Sequence, residues 1–469
     1  MAKMRPMSVL LILLSSGISI LIGVLLDRGS PGGTSNYRAV YYGARCLIQR
    51  ADPYNPDGFL RVYAAESGEF PSTPARRHLF LRAVPVCVNL PTTLFLVAPL
   101  ALLPWGLSHI LWLTLIGLSL TLAGLLMFDI AAEFAPGVSL VLICLLLVNS
   151  EVLFNVGNTA GIAVGLCVVA VWCFVRRRWE WAGVLCLAIS LALKPHDSGL
   201  VWVYLLLAGG ALRKRGLQAL VVAALFAIPS ILWVSSVAPG WTHELRGNLA
   251  STSSRGDISD PGPTSINHKG SADVLIDLQS VVSVFKDDPN IYNPIVYAVC
   301  GLFLIAWAWV TLREHASPTR HWYALAAVAP LTLLVSYHRP YDAKLLLLAI
   351  PACAMLWSEG GSIRRVAVWI TSLAVVLTGD LPLAILSLLS RNLSVAEMST
   401  GWRALSLPML RPAPCALLIA STFFLWAYGW RLFPALRESQ TEGPADLSRA
   451  LSQRESKTLP MAGRLWKGN

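Results

Sequence analysis

Charge is what this sequence has least of. Only 13% of its 469 residues are Asp, Glu, Lys or Arg, against nearer 25% in soluble domains. That shortfall excludes a water-soluble enzyme, and the apolar content of 55% excludes a disordered chain. Nine cysteines are present, but they make no CxxC pair and no Cys/His spacing of the zinc type. Cys144, Cys167, Cys173, Cys186, Cys300, Cys353 and Cys415 lie inside apolar runs, where a thiol behaves as a small apolar side chain. A disulfide-stapled secreted domain is thereby excluded. No internal repeat is apparent, which weighs against a transporter built from inverted repeats. The excess of 37 Lys+Arg over 26 Asp+Glu sits mostly between apolar blocks and forms no basic module, so nucleic acid is not an expected partner.

What is abundant is long apolar runs. Met7 to Leu26, Leu217 to Trp233 and Ala413 to Phe433 are each long enough, or nearly so, to cross a hydrocarbon core ~30 Å thick at 1.5 Å per residue. The fold class expected is all-α, a polytopic transmembrane helical bundle. The basic start, Met1-Ala-Lys-Met-Arg-Pro, leads into about 20 apolar residues with no small-x-small site before Asp27. It reads as a retained first crossing rather than a signal peptide. Short basic loops belong on the cytoplasmic side. Arg176-Arg177-Arg178, Arg213-Lys214-Arg215, Arg313 to Arg320 and Arg364-Arg365 are such loops. Between the first two, apolar runs flank Lys194-Pro195-His196-Asp197, which predicts a helical hairpin with that tetrapeptide at its outer tip. The same parity makes Tyr337 to Asp342 an outer turn. Residues 85–103 carry Pro85, Pro91 and Pro99 and are expected to be re-entrant or broken. About twelve crossings are expected, with both termini cytoplasmic, in a plasma membrane of bacterial type. Residues 1–433 form the membrane domain, with outer loops at 27–83 and 238–293, and 434–469 a polar cytoplasmic tail.

On this topology every polar cluster suited to chemistry faces outward. Tyr37, Val40, Tyr41, Ala44, Leu47 and Ile48 recur at helical spacing opposite Arg38, Tyr42, Arg45 and Gln49. This predicts an amphipathic helix in the interface, with Arg38 toward headgroups or phosphate. Asp52 and Tyr54 follow in a turn, since Pro and Asx residues favour one. Lys194 ends an apolar run beside His196 and Asp197, and an ionisable residue near membrane depth points to function. It is read either as a phosphate partner or as a lysine snorkelling to the interface with Asp197 as counter-ion. His338 and Arg339 offer charge-assisted bonds to phosphate. Asp342 is suited to sugar hydroxyls, or to a plain ion pair with Arg339, and Tyr341 to a sugar face. Asn158 stands where a helix restarts, as an anion site or an Asn cap. Asp287-Asp288 reads as a solvated acidic pair, and no metal is expected.

In order, "NYRAVYYGARCLIQRADPYNP", "NLPTTLFLVAPLALLPW", "NVGNTAGIAVGL", "WAGVLCLAISLALKPHDSG" and "SYHRPYDAKLLLL" resemble glycosyltransferase family 87. These are polytopic enzymes of GT-C architecture whose described members use polyprenyl-phosphate-mannose. The resemblance implies inverting, metal-independent transfer of a sugar, mannose above all, from a polyprenyl-phosphate donor. The acceptor would be a lipid or glycan on the extracytoplasmic face, with membrane lipids as surroundings and no cofactor. It also implies a first-loop Asp as catalytic base. The matching position here is Asn36, a neutral amide that cannot take a proton, so either another carboxylate (Asp27, Asp52, Asp57 or Asp342) serves, or the register of the match differs, or activity is weak or absent. The alternatives are a transporter or flippase of a lipid-linked or anionic substrate, and a non-catalytic relative.

Overall fold

The computed structural model describes residues 5–29, 33–67, 86–263, 265, 275–313, 320–390 and 398–431. The expected tail at 434–469, and Arg76, Arg77 and Arg82 of the first loop, lie outside the described residues. Among those described there are helices and no strand. Seven helices are long and apolar enough to cross a membrane. An eighth is gained if the pair Gly361–Leu377 and Asp380–Leu389, bent by 72° at their junction, is one span. The count of about twelve is therefore not confirmed by helix length. Four shorter helices, Ala160–Val175, Glu180–Leu193, Pro195–Ala208 and Arg320–Val335, have 14 to 16 residues each.

Two rings of helices follow from hydropathy and side-chain size. The inner ring is buried nearly throughout: Ala160–Val175, Arg320–Val335 and the span Pro340–Glu359 expose almost nothing. Small residues such as Ala163, Gly165, Ala324 and Ala329 let these backbones approach closely, as membrane helix packing requires. The outer ring leaves large apolar faces bare. Leu10, Leu21, Leu220, Leu225, Leu232, Leu302 and Ile305 are all exposed. Such a belt would aggregate in water and is at home in lipid.

The bundle has two chemically different ends. At one, the basic loops meet: Arg176 pairs with Asp129 and Glu133, Arg215 with Glu180, and Arg431 with Glu359. Glu180–Leu193 rises from this end and Pro195–Ala208 returns to it, so the expected hairpin forms with Lys194 at its tip. At the other end the remaining polar clusters gather. The helix Pro91–Ala101 spans only ~16 Å at 1.5 Å per residue, too short to cross. It is seated at the polar end, where Thr92 and Thr93 donate to the Ala192 and Leu193 carbonyls at 2.6 and 2.9 Å.

The first-loop helix forms at Ser35–Ile48, but its setting differs from the expectation. Tyr37, Tyr41 and Tyr42 are all buried. Tyr42, on the supposedly polar stripe, packs on Tyr63 at 4.8 Å and on Trp105 at 5.9 Å. Arg45 pairs with Glu66 and donates to the Ala101 carbonyl at 2.8 Å. The helix is thus covered by protein on both faces, by Pro56–Ser67 on one and the 91–105 segment on the other. Periodicity had shown the helix but not what lay over it.

Candidate functional site

The site is built at places where helices break. Pro195 cannot donate a backbone hydrogen bond, so the chain turns at Lys194, which takes an extended φ of −153°. The turn that follows Arg320–Val335 is held by a 3₁₀ segment, Pro340–Ala349. These two breaks, 148 residues apart, bring Lys194 Nζ onto Asp342 Oδ1. Lys194 Nζ also stands 3.3 Å from Asp197 Oδ2 and 5.2 Å from the centre of the Tyr341 ring. His338 Nε2 lies 3.4 Å from Asp197 Oδ1, and His196 Nε2 lies 3.6 Å from the same oxygen. The two imidazole rings are 5.2 Å apart. Asp342 is fully buried, Asp197 is 1% exposed and Lys194 8%. Buried charges of this kind persist only when paired.

Arg339 belongs to the same turn, and its guanidinium has partners of its own. Its Nε donates to the Tyr337 hydroxyl at 2.5 Å and its Nη2 to the Ile258 carbonyl at 2.9 Å. Its backbone N–H donates to Asp342 Oδ2 at 2.8 Å. Asp342 therefore has both oxygens engaged. In this arrangement it orients Lys194 and caps the turn. Ile258 comes from the segment between Gly210–Val237 and Pro289–Arg313, and a second stretch of that segment straps across the turn. Ile276 N–H donates to the His338 carbonyl at 3.0 Å and Leu278 N–H to the Leu334 carbonyl at 3.1 Å. Burial pushes the Asp277 carboxyl in this strap up to about 6.

Seven of the expected residues thus converge: Lys194, His196, Asp197, His338, Arg339, Tyr341 and Asp342. The others serve elsewhere. Asn158 Oδ1 accepts from Ala160 N–H at 2.8 Å, the Asn-cap reading. Tyr54 is fully buried, its hydroxyl donating to the Asn89 carbonyl at 2.8 Å. Asn248 ties the Tyr54 and Cys87 carbonyls together at 2.9 and 3.0 Å, which joins the two outer loops. Arg38 lies over the Trp105 ring at 5.6 Å, and Asn36 is half-buried on the same helix. Asp52 Oδ1 accepts from the Tyr54 N–H at 2.8 Å as a turn cap. Asp287 pairs with Arg255 at 2.8 Å.

Two further clusters escaped the sequence reading. Asp27 accepts a hydrogen bond from the Thr34 hydroxyl at 2.5 Å and stands 3.6 Å from His109 Nε2. His109 begins the Trp105–Ala131 helix and stacks on Trp105 at 5.3 Å. Thr34 in turn receives its place from the Asn155 carbonyl, 2.6 Å from its N–H. Separately, Lys344 donates to the Asn149 carbonyl, while Asp380 Oδ2 accepts from Val152 N–H at 2.8 Å. Glu151, beside them, is 9% exposed. A carboxylate inside an apolar run is a signal in its own right, and it marks both Glu151 and Asp380.

The fold and this site define a class: a polytopic α-helical membrane protein with a buried ionic centre at converging helix breaks, covered by the strap that holds Ile258, Ile276 and Leu278. Within that class the family is shown. The model of glycosyltransferase family 87 matches residues 89–336, more than half of the 469-residue chain, and the chain belongs to that family. It is a membrane glycosyltransferase. The match takes in the Lys194 hairpin and stops two residues before His338. Neither a curated protein nor a solved structure matches the chain.

Proposed function

We propose that this glycosyltransferase moves a sugar, mannose first among candidates, from a polyprenyl-phosphate donor to a lipid or glycan acceptor on the outer face of a cell membrane. The observation that carries the reading is the meeting of Lys194 and His338 in one polar centre, from hairpin tips far apart in sequence. The polyprenyl chain lies in bilayer between helices, and its phosphate enters beside Lys194, His196 and Arg339. Those groups stabilise charge building on the leaving phosphate as the anomeric bond breaks, a fixed electrostatic contribution that needs no reorganisation. The acceptor hydroxyl attacks the anomeric carbon from the opposite face, with inversion, and gives its proton to a first-loop carboxylate. Asp27, Asp52 and Asp57 are the described aspartates of that loop. Asp27 is favoured because its partner is a histidine, whereas Asp52 caps a turn.

Orientation follows the positive-inside rule: the end that holds Arg176, Arg215, Arg320 and Arg431 is cytoplasmic. Family membership favours this reading over a transporter, and the chemistry of Asn36 makes a direct assay the deciding measurement. Purified protein is given radiolabelled polyprenyl-phosphate-mannose with and without candidate acceptors. Sugar transfer or release is expected. Arg339→Ala is expected to lower it at least ~100-fold, the scale of one electrostatic donor. Donor binding with no turnover would identify a non-catalytic relative, and a near-normal Arg339→Ala rate would remove Arg339 from the site.

A further inference from the structure

Asp197 shares its cation with a second carboxylate. Lys194 is bonded to Asp342 and stands 3.3 Å from Asp197, which is 1% exposed. Among the described residues neither of its carboxylate oxygens has a hydrogen-bond partner, and neither does His338 Nε2. Facing Asp197 Oδ1 are two imidazole nitrogens, His338 Nε2 at 3.4 Å and His196 Nε2 at 3.6 Å. Ligand atoms of all three side chains lie within 4.8 Å of one another. The tautomer of His338 is dictated by its other nitrogen. Nδ1 stands 2.8 Å from the Ser336 carbonyl, which can only accept, so Nδ1 carries the proton. Nε2 then faces a carboxylate oxygen at 3.4 Å, an arrangement that is stable only with a positive centre between them, a proton on Nε2 or a bound cation.

We propose that His196, Asp197 and His338 bind one divalent metal ion of the Zn²⁺ kind. The donor set fits. Two imidazoles and a carboxylate make a three-ligand site with an open fourth position, and imidazole selects a borderline ion over Mg²⁺ or Ca²⁺. Tetrahedral bonds of about 2.0–2.1 Å set neighbouring ligand atoms ~3.3 Å apart, close to the 3.4 and 3.6 Å between Asp197 Oδ1 and the two imidazole nitrogens, and the two imidazoles, whose ligand atoms lie within 4.8 Å, draw together on binding. The Nδ1–carbonyl bond of His338 is the outer-sphere contact that orients a metal-bound imidazole. His196, with its side chain 41% exposed, leaves the open position on the accessible side. Lys194 does not compete: it stands at the other carboxylate oxygen, Oδ2, 3.3 Å away. The purpose rests on the glycosyltransferase reading. With neutral imidazoles, Lys194, Arg339, Asp197 and Asp342 carry no net formal charge, whereas a bound dication makes the cluster positive and draws in a phosphate. The metal-free site expected from the sequence is replaced by this proposal.

The test is metal binding itself, with Co²⁺ as a coloured probe. Tag-free full-length protein in detergent, stripped with a chelator, is titrated with Co²⁺ and its visible absorption followed. One ion per chain is expected, with bands lost on adding Zn²⁺. His196→Gln, Asp197→Asn and His338→Gln are each expected to weaken binding at least ~100-fold, since even outer-sphere partners cost 10–100-fold. His109→Gln, at the separate Asp27 pair, is expected to bind normally. His196→Gln alters a half-exposed side chain, and its elution as a single species in size exclusion separates lost binding from misfolding. No saturable Co²⁺ uptake by folded wild-type protein, or unchanged affinity in folded His196→Gln, overturns the proposal. Ion binding without sugar transfer would keep the metal site and sink the proposed donor chemistry. Transfer that persists in chelator, with no ion bound, would do the reverse.

Discussion

Replacing Lys194 with methionine tests whether the ionic centre holds the fold, the chemistry or both. Methionine keeps an unbranched apolar stem, one atom shorter, and removes the ammonium with its charge and donors. Asp342, fully buried, loses the ammonium on Oδ1, and Asp197 loses the one at 3.3 Å. Breaking a buried pair by deleting one partner costs about 3–5 kcal/mol, because a charge is left stranded. Lys194→Met is therefore expected to lower unfolding stability in mixed micelles by about that amount. Adding Asp342→Asn removes the stranded charge. The amide oxygen can still accept from Arg339 N–H, now at 2.8 Å. The double variant is expected to regain about 2 kcal/mol or more of the loss. Activity behaves differently. If Lys194 stabilises the departing phosphate, both variants stay at least ~100-fold slower, which corresponds to about 2.7 kcal/mol in the barrier. Transfer assays and unfolding curves on the same preparations separate the two effects. A single variant within about 1 kcal/mol of wild type would show that the pair is not buried and bonded as described. A double variant that recovers its rate along with its stability would make Lys194 a structural residue.

Three other outcomes are expected. Asp27→Asn should cut transfer at least ~100-fold at normal donor binding, while Asp52→Asn should act mainly on loop stability; the reverse pattern would exchange their roles. Gly157→Ala should destabilise by about 2–4 kcal/mol. The residue has φ of +63°, and an added Cβ would meet Thr34 Cγ2 at 2.7 Å and Tyr37 Cβ at 2.9 Å. Unfolding in micelles reads this, and a neutral result would mean the first loop is not seated there. The third concerns pH. A hydrogen bond with Asp52, then burial, pushes the Glu244 carboxyl up from 4.5 to about 7. A carboxyl whose folded value is raised stabilises fully below its unfolded value and loses that contribution as pH climbs to the folded one. Protease resistance of the outer loops should thus decline between about pH 5 and 7 and level off above. Glu244→Gln should flatten that decline, and an unchanged profile would assign it elsewhere.

What the sequence made legible follows from which signals are local. The hairpin tipped by Lys194 could be read because two triple-basic loops bracket two apolar runs, and charge reports topology. The broken segment at 85–103 showed itself through its prolines. The helix at Ser35–Ile48 was plain from periodicity, yet its burial was not, because an apolar stripe marks a covered face without saying what covers it. Partners at long separation were hidden for the same reason. Lys194 and Asp342 are 148 residues apart, and Val152 and Asp380 are 228 apart. Apolar spans of similar composition suit many neighbours, and close packing of small residues decides among them. Asp27–His109 was invisible because each residue, taken alone, looks like an ordinary helix-end polar group.

The charged residues of this bundle share a structural logic that bears on every substitution just described. Backbone groups at a break in a membrane helix lose their own partners, and lipid offers none. Here ionic side chains supply them. Lys344 donates to the Asn149 carbonyl, Asp380 accepts from Val152 N–H, and Asp342 accepts from Arg339 N–H. In the centre, Asp342 both caps the turn and fixes Lys194. A helix break at membrane depth is expensive without such groups, and such groups are expensive there without a break to receive them. Each therefore accounts for the other, and the centre is rigid because it is part of the fold's hydrogen bonding. Substitutions at Lys344 or Asp380 should consequently lower stability and transfer in proportion. Those at His196, which bonds no backbone group among the described residues, should leave stability alone. A His196→Ala variant as unstable as Asp380→Ala would contradict this division.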